Sequence, residues 1–318
     1  NQAVYELTKK KEYLDYAIRF AEHNNWKGAT QRDKAKWRYQ TYGEGMDFVL
    51  FADWQICFQV YIDLYNIEHR AERLERTLEV MCHQASMKEK DFWWWSDALY
   101  MGLPIFTKLY KVTGDQKYLG EARYFVEETG RFSNGRKPSE YSQDHMPILQ
   151  QEEIVGHAVR AGYLYSGVAD VAALTNDTAY FEAIQRVWEN MSSKKLYITG
   201  GIGSRPQGEG FGPNYELSNH TGYCETCASI SNVYWNHRMF LATGESKYYD
   251  IVERALFNGV MSGVSLSGDR FFYDNPLQSL GEHDRAEWFG CACCPGNVTR
   301  FVASVPNYVY ATQANDIY

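Results

Sequence analysis

The chain has 318 residues, 45% of them hydrophobic and 23% charged, with a formal net charge of -8. That length and balance suit a globular chain with a substantial core, and the acidic charge argues against nucleic acid, which needs a basic face. No apolar run approaches the ~20 residues with which a helix crosses a bilayer, which argues against a membrane-spanning helix.

Helical periodicity dominates in chain order. "YLDYAIRFAEH", "RLERTLEVMCHQ", "YLGEARYFVEET", "YFEAIQRVWENM" and "YYDIVERALFNGV" each place apolar residues at i, i+3, i+4 and i+7. Strand candidates are few, the best being "KLYITGGIG" and "DRFFYDN". A repeat recurs at Leu7, Val112, Leu174 and Ala242: Thr, a turn-prone tract, Tyr five residues after the Thr, then an amphipathic helix. Gly, Asn or Asp in the last three tracts suits a tight turn between helices. A preceding apolar helix ("LPIFTKLYKV", "YLYSGVADVAAL", "YWNHRMFLA") completes a hairpin in those three. Irregular hairpins with a long Gly-rich insertion, Gly200 to Tyr223, suit an all-α toroid whose loops build a site at one end. With no low-complexity linker, one domain over residues 1–318 is expected.

Seven cysteines are scattered along the chain, unlike the dense set of a small disulfide-stapled domain. The first residue is Asn rather than Met, as in a chain whose true start has been removed, and no signal-like segment follows; the expected location is the cytoplasm, with the periplasm as the alternative. Five cysteines fall in two groups, Cys224-x-x-Cys227 and Cys291-x-Cys293-Cys294. Adjacent cysteines do not readily bridge each other. The spacing is compatible with a zinc site, including a four-cysteine knuckle pair, with small buried core residues, or with redox chemistry. A thiolate on a metal is also a nucleophile in waiting. The loop "GIGSRPQGEGFGPNYE" offers Glu209, flanked by Gly208 and Gly210, and Glu216 as acids, or as solvated loop residues. Nine Trp and twenty-five Tyr serve core packing or stacking on apolar sugar faces, and the run Trp93 to Trp95 suits either. His145 and His237 read as structural.

From about Tyr118 onward, "EYSQDHMPILQQEEIVGHAVRAGYLYSGVADVAALT", "LYITGGIGSRPQGEGFGPNYEL", "ETCASISNVYWNHRMFLATG", "DRFFYDNPL" and "WFGCACCPGNVTRF" resemble the catalytic domain of glycoside hydrolase family 127, the β-L-arabinofuranosidases. The resemblance implies an (α/α)6 barrel, an oligosaccharide or glycoside substrate, and Zn2+ held by Glu225, Cys227, Cys293 and Cys294. It implies Cys293 as nucleophile, Glu209 as general acid/base, and His157 and Tyr273 as sugar contacts. Cys224 and Cys291 stay outside the zinc set. The implied reaction is the two-step retaining scheme with sulfur in place of the usual carboxylate.

The first part of the chain differs. "FVLFADWQICFQVYIDLY" and "WWWSDALYMGLPIFTKLYKVTGDQKYL" resemble the unsaturated glucuronyl and rhamnogalacturonyl hydrolases of families 88 and 105, also (α/α)6 barrels. That likeness implies Asp97 as acid/base, assisted by Asp53, in hydration of a 4,5-unsaturated uronide; either Asp could equally be a helix cap or a buried, hydrogen-bonded residue. The chain reads as a uronyl-hydrolase-like half, 1–115, joined to an arabinofuranosidase-like half, 116–318. The first-half histidine motifs of family 127 are missing, and Leu99 falls where one such histidine is expected. Three functions are thus expected to compete: the zinc-dependent arabinofuranosidase, the uronyl hydrolase, and an inactive chimeric scaffold.

Overall fold

Three of the four Thr–turn–Tyr repeats are visible in a computed structural model, which describes residues 9–12, 14–15, 102–131, 137–290, 293–313 and 316–317. Each marks a helix end followed by a helix start. The chain leaves one helix through a left-handed residue, Gly114 (φ 70°), Asn176 (φ 53°) or Gly244 (φ 72°), and the next residue, Asp115, Asp177 or Glu245, stands at the following N-cap. Gly and Asn tolerate that backbone with little steric cost. Asp115 accepts from the backbone of Lys117, and Asp177 accepts from Ala179 and Tyr180, satisfying amides that a helix start leaves open. The repeat tyrosines Tyr118, Tyr180 and Tyr248 are all buried. The first repeat copy, Trp93 to Trp95, Asp53, Asp97 and Leu99 lie outside the described residues.

The chain divides into two compact units, Asn1–Gly114 and Asp115–Tyr318. In the first, helix α1 (Leu103–Thr113) starts with Pro104 in its first turn and buries Leu103, Ile105, Phe106 and Leu109.

The second unit contains α2 (Gln116–Glu128), α3 (Ala158–Thr175), α4 (Thr178–Lys194), α5 (Thr226–Thr243), α6 (Ser246–Ala255) and α7 (Cys293–Val302). A two-stranded antiparallel ribbon, β1 (Thr312–Gln313) and β2 (Asp316–Ile317), follows. α3 and α5 pack on each other and are buried nearly all round, whereas α4 and α6 each bury one face. This division matches their sequences: α4 and α6 are amphipathic, while α3 and α5 mix apolar with small polar residues on every face. The α3–α5 approach is close. A Cβ added at Gly162 would lie 2.3 Å from Ser231 Oγ, so glycine there sets the helix separation. A core of Ile230, Val233, Val252, Ala255, Val260, Val298 and Phe301 ties α5, α6 and α7 together.

Two strand expectations are corrected. "KLYITGGIG" is a turn, closed by Gly200 N–H on the Tyr197 carbonyl at 2.9 Å, because Gly200 takes φ 83° and reverses the chain. In "DRFFYDN" only Phe271 pairs, bridging Val264 and Ala286; from there the chain bends so that the Tyr273 carbonyl accepts from Thr226 at the start of α5. The helix expected over "YYDIVERALFNGV" gives way at Leu256–Val260 to a π-helical turn.

Candidate active site

Three helices, α3, α5 and α7, begin around one group of side chains. Helix N-termini present unpaired amides and the positive end of the helix dipole, so anionic groups gather there favourably. His157 is the N-cap of α3, and its Nδ1 accepts from Val159 and Arg160 at 3.2 and 3.4 Å. Glu225 is the N-cap of α5, yet its side chain makes no capping bond. Its carboxylate is spent elsewhere.

That carboxylate meets sulfur. Glu225 Oε1 lies 3.5 Å from Cys294 Sγ and 3.7 Å from Cys293 Sγ; Cys294 Sγ lies 3.4 Å from Cys227 Sγ and 3.8 Å from Cys293 Sγ. The ligand atoms of Glu225, Cys227, Cys293 and Cys294 all fall within 4.8 Å of one another. Cys227 and Cys294 are buried and Cys293 is exposed. Burial above all, then Cys293 and Glu209, pushes the Glu225 carboxyl well above its usual range; hydrogen bonds to Cys293 and Cys294, then burial, push up the Cys227 thiol. Such a cluster resists ionisation unless a cation compensates it. Glu225 Oε2, fully buried, has no hydrogen-bond partner among the described residues. One carboxylate and three thiols at tetrahedral numbers, with one oxygen unpaired, fit a divalent metal ion of zinc type. The residues expected as ligands are therefore together, and they could hold a metal ion.

Beside the sulfurs stands Glu209, at the tip of a tight hairpin in which Arg205 and Gly210 exchange both backbone hydrogen bonds at 3.0 Å. The tip is left-handed at Gly208 (φ 67°) and Glu209 (φ 47°). Phe211 N–H donates to the Gly156 carbonyl at 2.9 Å, which ties the hairpin to the residue before His157. Because His157 Nδ1 accepts the capping bonds, its proton sits on Nε2, which donates to Glu209 Oε2 at 2.9 Å. Tyr223 and Tyr273 hydroxyls both donate to Glu209 Oε1, at 3.0 and 2.9 Å. The hydrogen bond from His157 foremost, outweighing burial and joined by the two tyrosines, holds the Glu209 carboxyl below its usual range. The Tyr273 hydroxyl also lies 3.2 Å from Cys293 Sγ, so one hydroxyl touches both groups.

Not every candidate joins. Glu216 is clamped by Arg205 at 2.5 and 2.7 Å and receives Ser204, so it braces the loop. Cys224 is buried against Gly201, with a thiol that burial pushes up to about 12, and is not among the clustered ligand groups. His237 packs edge-on against Tyr308 at 4.6 Å. Cys291 lies outside the described residues. Sequence reasoning missed Tyr223, whose place two residues before Glu225, in the segment leading into α5, was the available signal.

Comparison with known proteins gives this geometry a context. A model of the β-L-arabinofuranosidase catalytic domain of glycoside hydrolase family 127 matches residues 98–307, and one of glycosyl hydrolase family 88 matches residues 1–152. The non-reducing end β-L-arabinofuranosidase of Bifidobacterium longum subsp. longum is 36% identical over 233 residues, 64% of this chain and 35% of that relative. A solved family 127 β-arabinofuranosidase is 45% identical with a TM-score of 0.77, covering 84% of this chain and 42% of its own. A solved family 88 hydrolase from Bacteroides vulgatus is 25% identical with a TM-score of 0.56, covering 95% of this chain and 86% of its own. The chain thus spans about a third of the length of the curated relative it matches. The helical hairpins are of the (α/α)6 class that the sequence led us to expect, and the first part of the chain carries the family 88 likeness. With about two thirds of its length matched by that one catalytic-domain model, the chain belongs to glycoside hydrolase family 127, the β-L-arabinofuranosidase family.

Proposed function

We propose that this chain is a retaining glycoside hydrolase that releases terminal β-L-arabinofuranose. The observation that carries this reading is the Tyr273 hydroxyl, which lies 3.2 Å from the exposed Cys293 sulfur and 2.9 Å from Glu209 Oε1. A nucleophile and an acid/base within one hydroxyl's reach suit displacement at one carbon.

Cys293 attacks the anomeric carbon while Glu209 protonates the departing oxygen. A sulfur–carbon bond forms as the glycosidic carbon–oxygen bond breaks. Water then gives a proton to Glu209 and attacks the same carbon, the sulfur leaves, and the sugar departs with retained configuration. Zinc bound by Glu225, Cys227, Cys293 and Cys294 supplies the positive charge that keeps sulfur anionic near neutral pH. Glu209 begins ionised in the three-donor cradle. Substrate that enters the cradle and excludes water moves its pKa upward, so that Glu209 takes a proton from solvent before it acts as the acid, and returns one to solvent after turnover. His157 and Tyr273 orient Glu209, with Tyr273 also reaching the sugar.

The test is release of L-arabinose from an aryl β-L-arabinofuranoside, with the anomer followed by NMR. Cys293→Ser should lower turnover by at least ~10^3-fold, as expected when a covalent nucleophile is lost. An unaltered rate, or an inverted product, would overturn the reading.

The family 88 match over residues 1–152 favours a second reading, hydration of a 4,5-unsaturated uronide using Asp97 and Asp53. It requires loss of the alkene's ultraviolet absorbance, abolished by Asp97→Asn. Turnover of neither substrate would identify a folded, catalytically silent scaffold.

A further inference from the structure

The cradle around Glu209 is asymmetric. Its Oε1 faces Tyr223, Tyr273 and, through Tyr273, the Cys293 sulfur; its Oε2 faces His157. In a retaining displacement the leaving group departs on the acid's side, opposite the nucleophile. The departing oxygen and whatever it carries therefore run out past His157, away from sulfur.

On that side stands Tyr141. Its ring meets the His157 ring edge-to-face with centroids 5.2 Å apart. The buried Arg160 guanidinium sits over it, 5.0 Å from the ring centre. A Cβ added at Gly208, next to Glu209, would lie 3.8 Å from Tyr141 Cδ2, so the ring also borders the hairpin tip. Tyr141 is nonetheless 39% exposed, whereas Tyr223 and Tyr273 are only partly so. Its backbone is fixed: the carbonyl accepts from His157 N–H at 3.3 Å and from Gln143 Nε2 at 3.2 Å. A held, solvent-facing aromatic ring beside the acid's outer oxygen is what packs against the C–H face of a sugar.

We infer that Tyr141 is the platform for the leaving-group sugar, and so a determinant of which aglycone is accepted. The inference rests on the arabinofuranosidase reading and extends it from the sugar that is cleaved to the one that departs.

The test compares two substrates whose leaving groups are both alkyl alcohols, so the demand on Glu209 is the same. One is methyl β-L-arabinofuranoside; the other carries the same arabinofuranosyl unit on a second sugar. Tyr141→Ala should lower the disaccharide-to-methyl ratio of kcat/KM by roughly five- to tenfold, the size of one lost aromatic contact, with the loss mainly in KM. Tyr141→Phe should restore the ratio. A merely structural role for Tyr141 would lower both substrates in proportion, and an unchanged ratio in Tyr141→Ala overturns the inference. If the parent protein turns over neither arabinofuranoside, the functional reading fails and this inference falls with it.

Discussion

At the residue scale, His157 does two tasks with two nitrogens. One caps α3 and the other donates to Glu209, so the helix start dictates the tautomer presented to the site. The neighbouring chemistry follows the same economy: Glu225 stands at an N-cap but sends its carboxylate to sulfur. A second histidine shows the opposite use. His237 is held uncharged, its pKa brought down to about 4 by burial and then by Arg238, against a smaller pull from Asp170. The unfolded chain has the ordinary value near 6.5, so it binds the proton more readily than the folded one. Stability from this group is therefore complete above pH 6.5 and is lost as pH falls toward 4, about 3 kcal/mol in all. His237→Gln should flatten the fall in urea midpoint between pH 6.5 and 4; an equally steep fall in the variant would refute the assignment.

At the element scale, what matters is how loops are fastened to helix starts. The segment Glu140–His157 is stapled by Gln143, whose side-chain amide reaches the carbonyls of Val155 and His157, and by Gln151, which reaches those of Gln143 and Met146. The Glu209 hairpin is then zipped to Gly156, and the Asn232 amide holds the Gly200 carbonyl at 3.0 Å. Gly156 takes φ 72°, and a Cβ there would lie 1.8 Å from the Glu140 carbonyl oxygen. Gly156→Ala should cost about 3 kcal/mol or more, through the strained φ and the backbone clash. It should also lower turnover per folded molecule, because Gly156 carries the hairpin that holds Glu209. Urea unfolding and activity per folded fraction, measured together, check this; full activity in a destabilised variant would show that the hairpin is placed independently.

At the scale of the whole molecule, the sulfur–carboxylate cluster joins the start of α5 to the start of α7, residues separated by 66 to 69 positions in sequence. A bound divalent ion would therefore act as a cross-link that exists only in the folded state, and its binding energy adds to stability. Loading with zinc followed by a strong chelator should lower Tm by several degrees, with about one equivalent of zinc found by elemental analysis before chelation. Cys227→Ser should remove most of that difference. No change in Tm on chelation of a zinc-loaded sample would mean that the cluster does not bind the ion in a structurally coupled way.

The amino-acid sequence alone was enough for whatever depends on neighbours along the chain. The Thr–turn–Tyr corners at Gly114, Asn176 and Gly244 were legible because a left-handed turn and a helix cap are decided within a few residues. The candidate ligands Glu225, Cys227, Cys293 and Cys294 were legible through a family resemblance and through the residue types that bind metal. The short apolar runs misled: "KLYITGGIG" has strand-like residues, but Gly200 reverses the chain and, among the described residues, no strand pairs with it. Only tertiary structure decided which acid enters the site. Glu209 and Glu216 share one glycine-rich loop and look alike in sequence, yet one is cradled by His157, Tyr223 and Tyr273 and the other is locked to Arg205. Those contacts to Glu209 span 14 to 64 residues, and their existence depends on how α3 and α5 pack and on where the intervening loops are pinned. A side chain's type is written locally; its partner is set by the packing of distant segments, which no local pattern encodes.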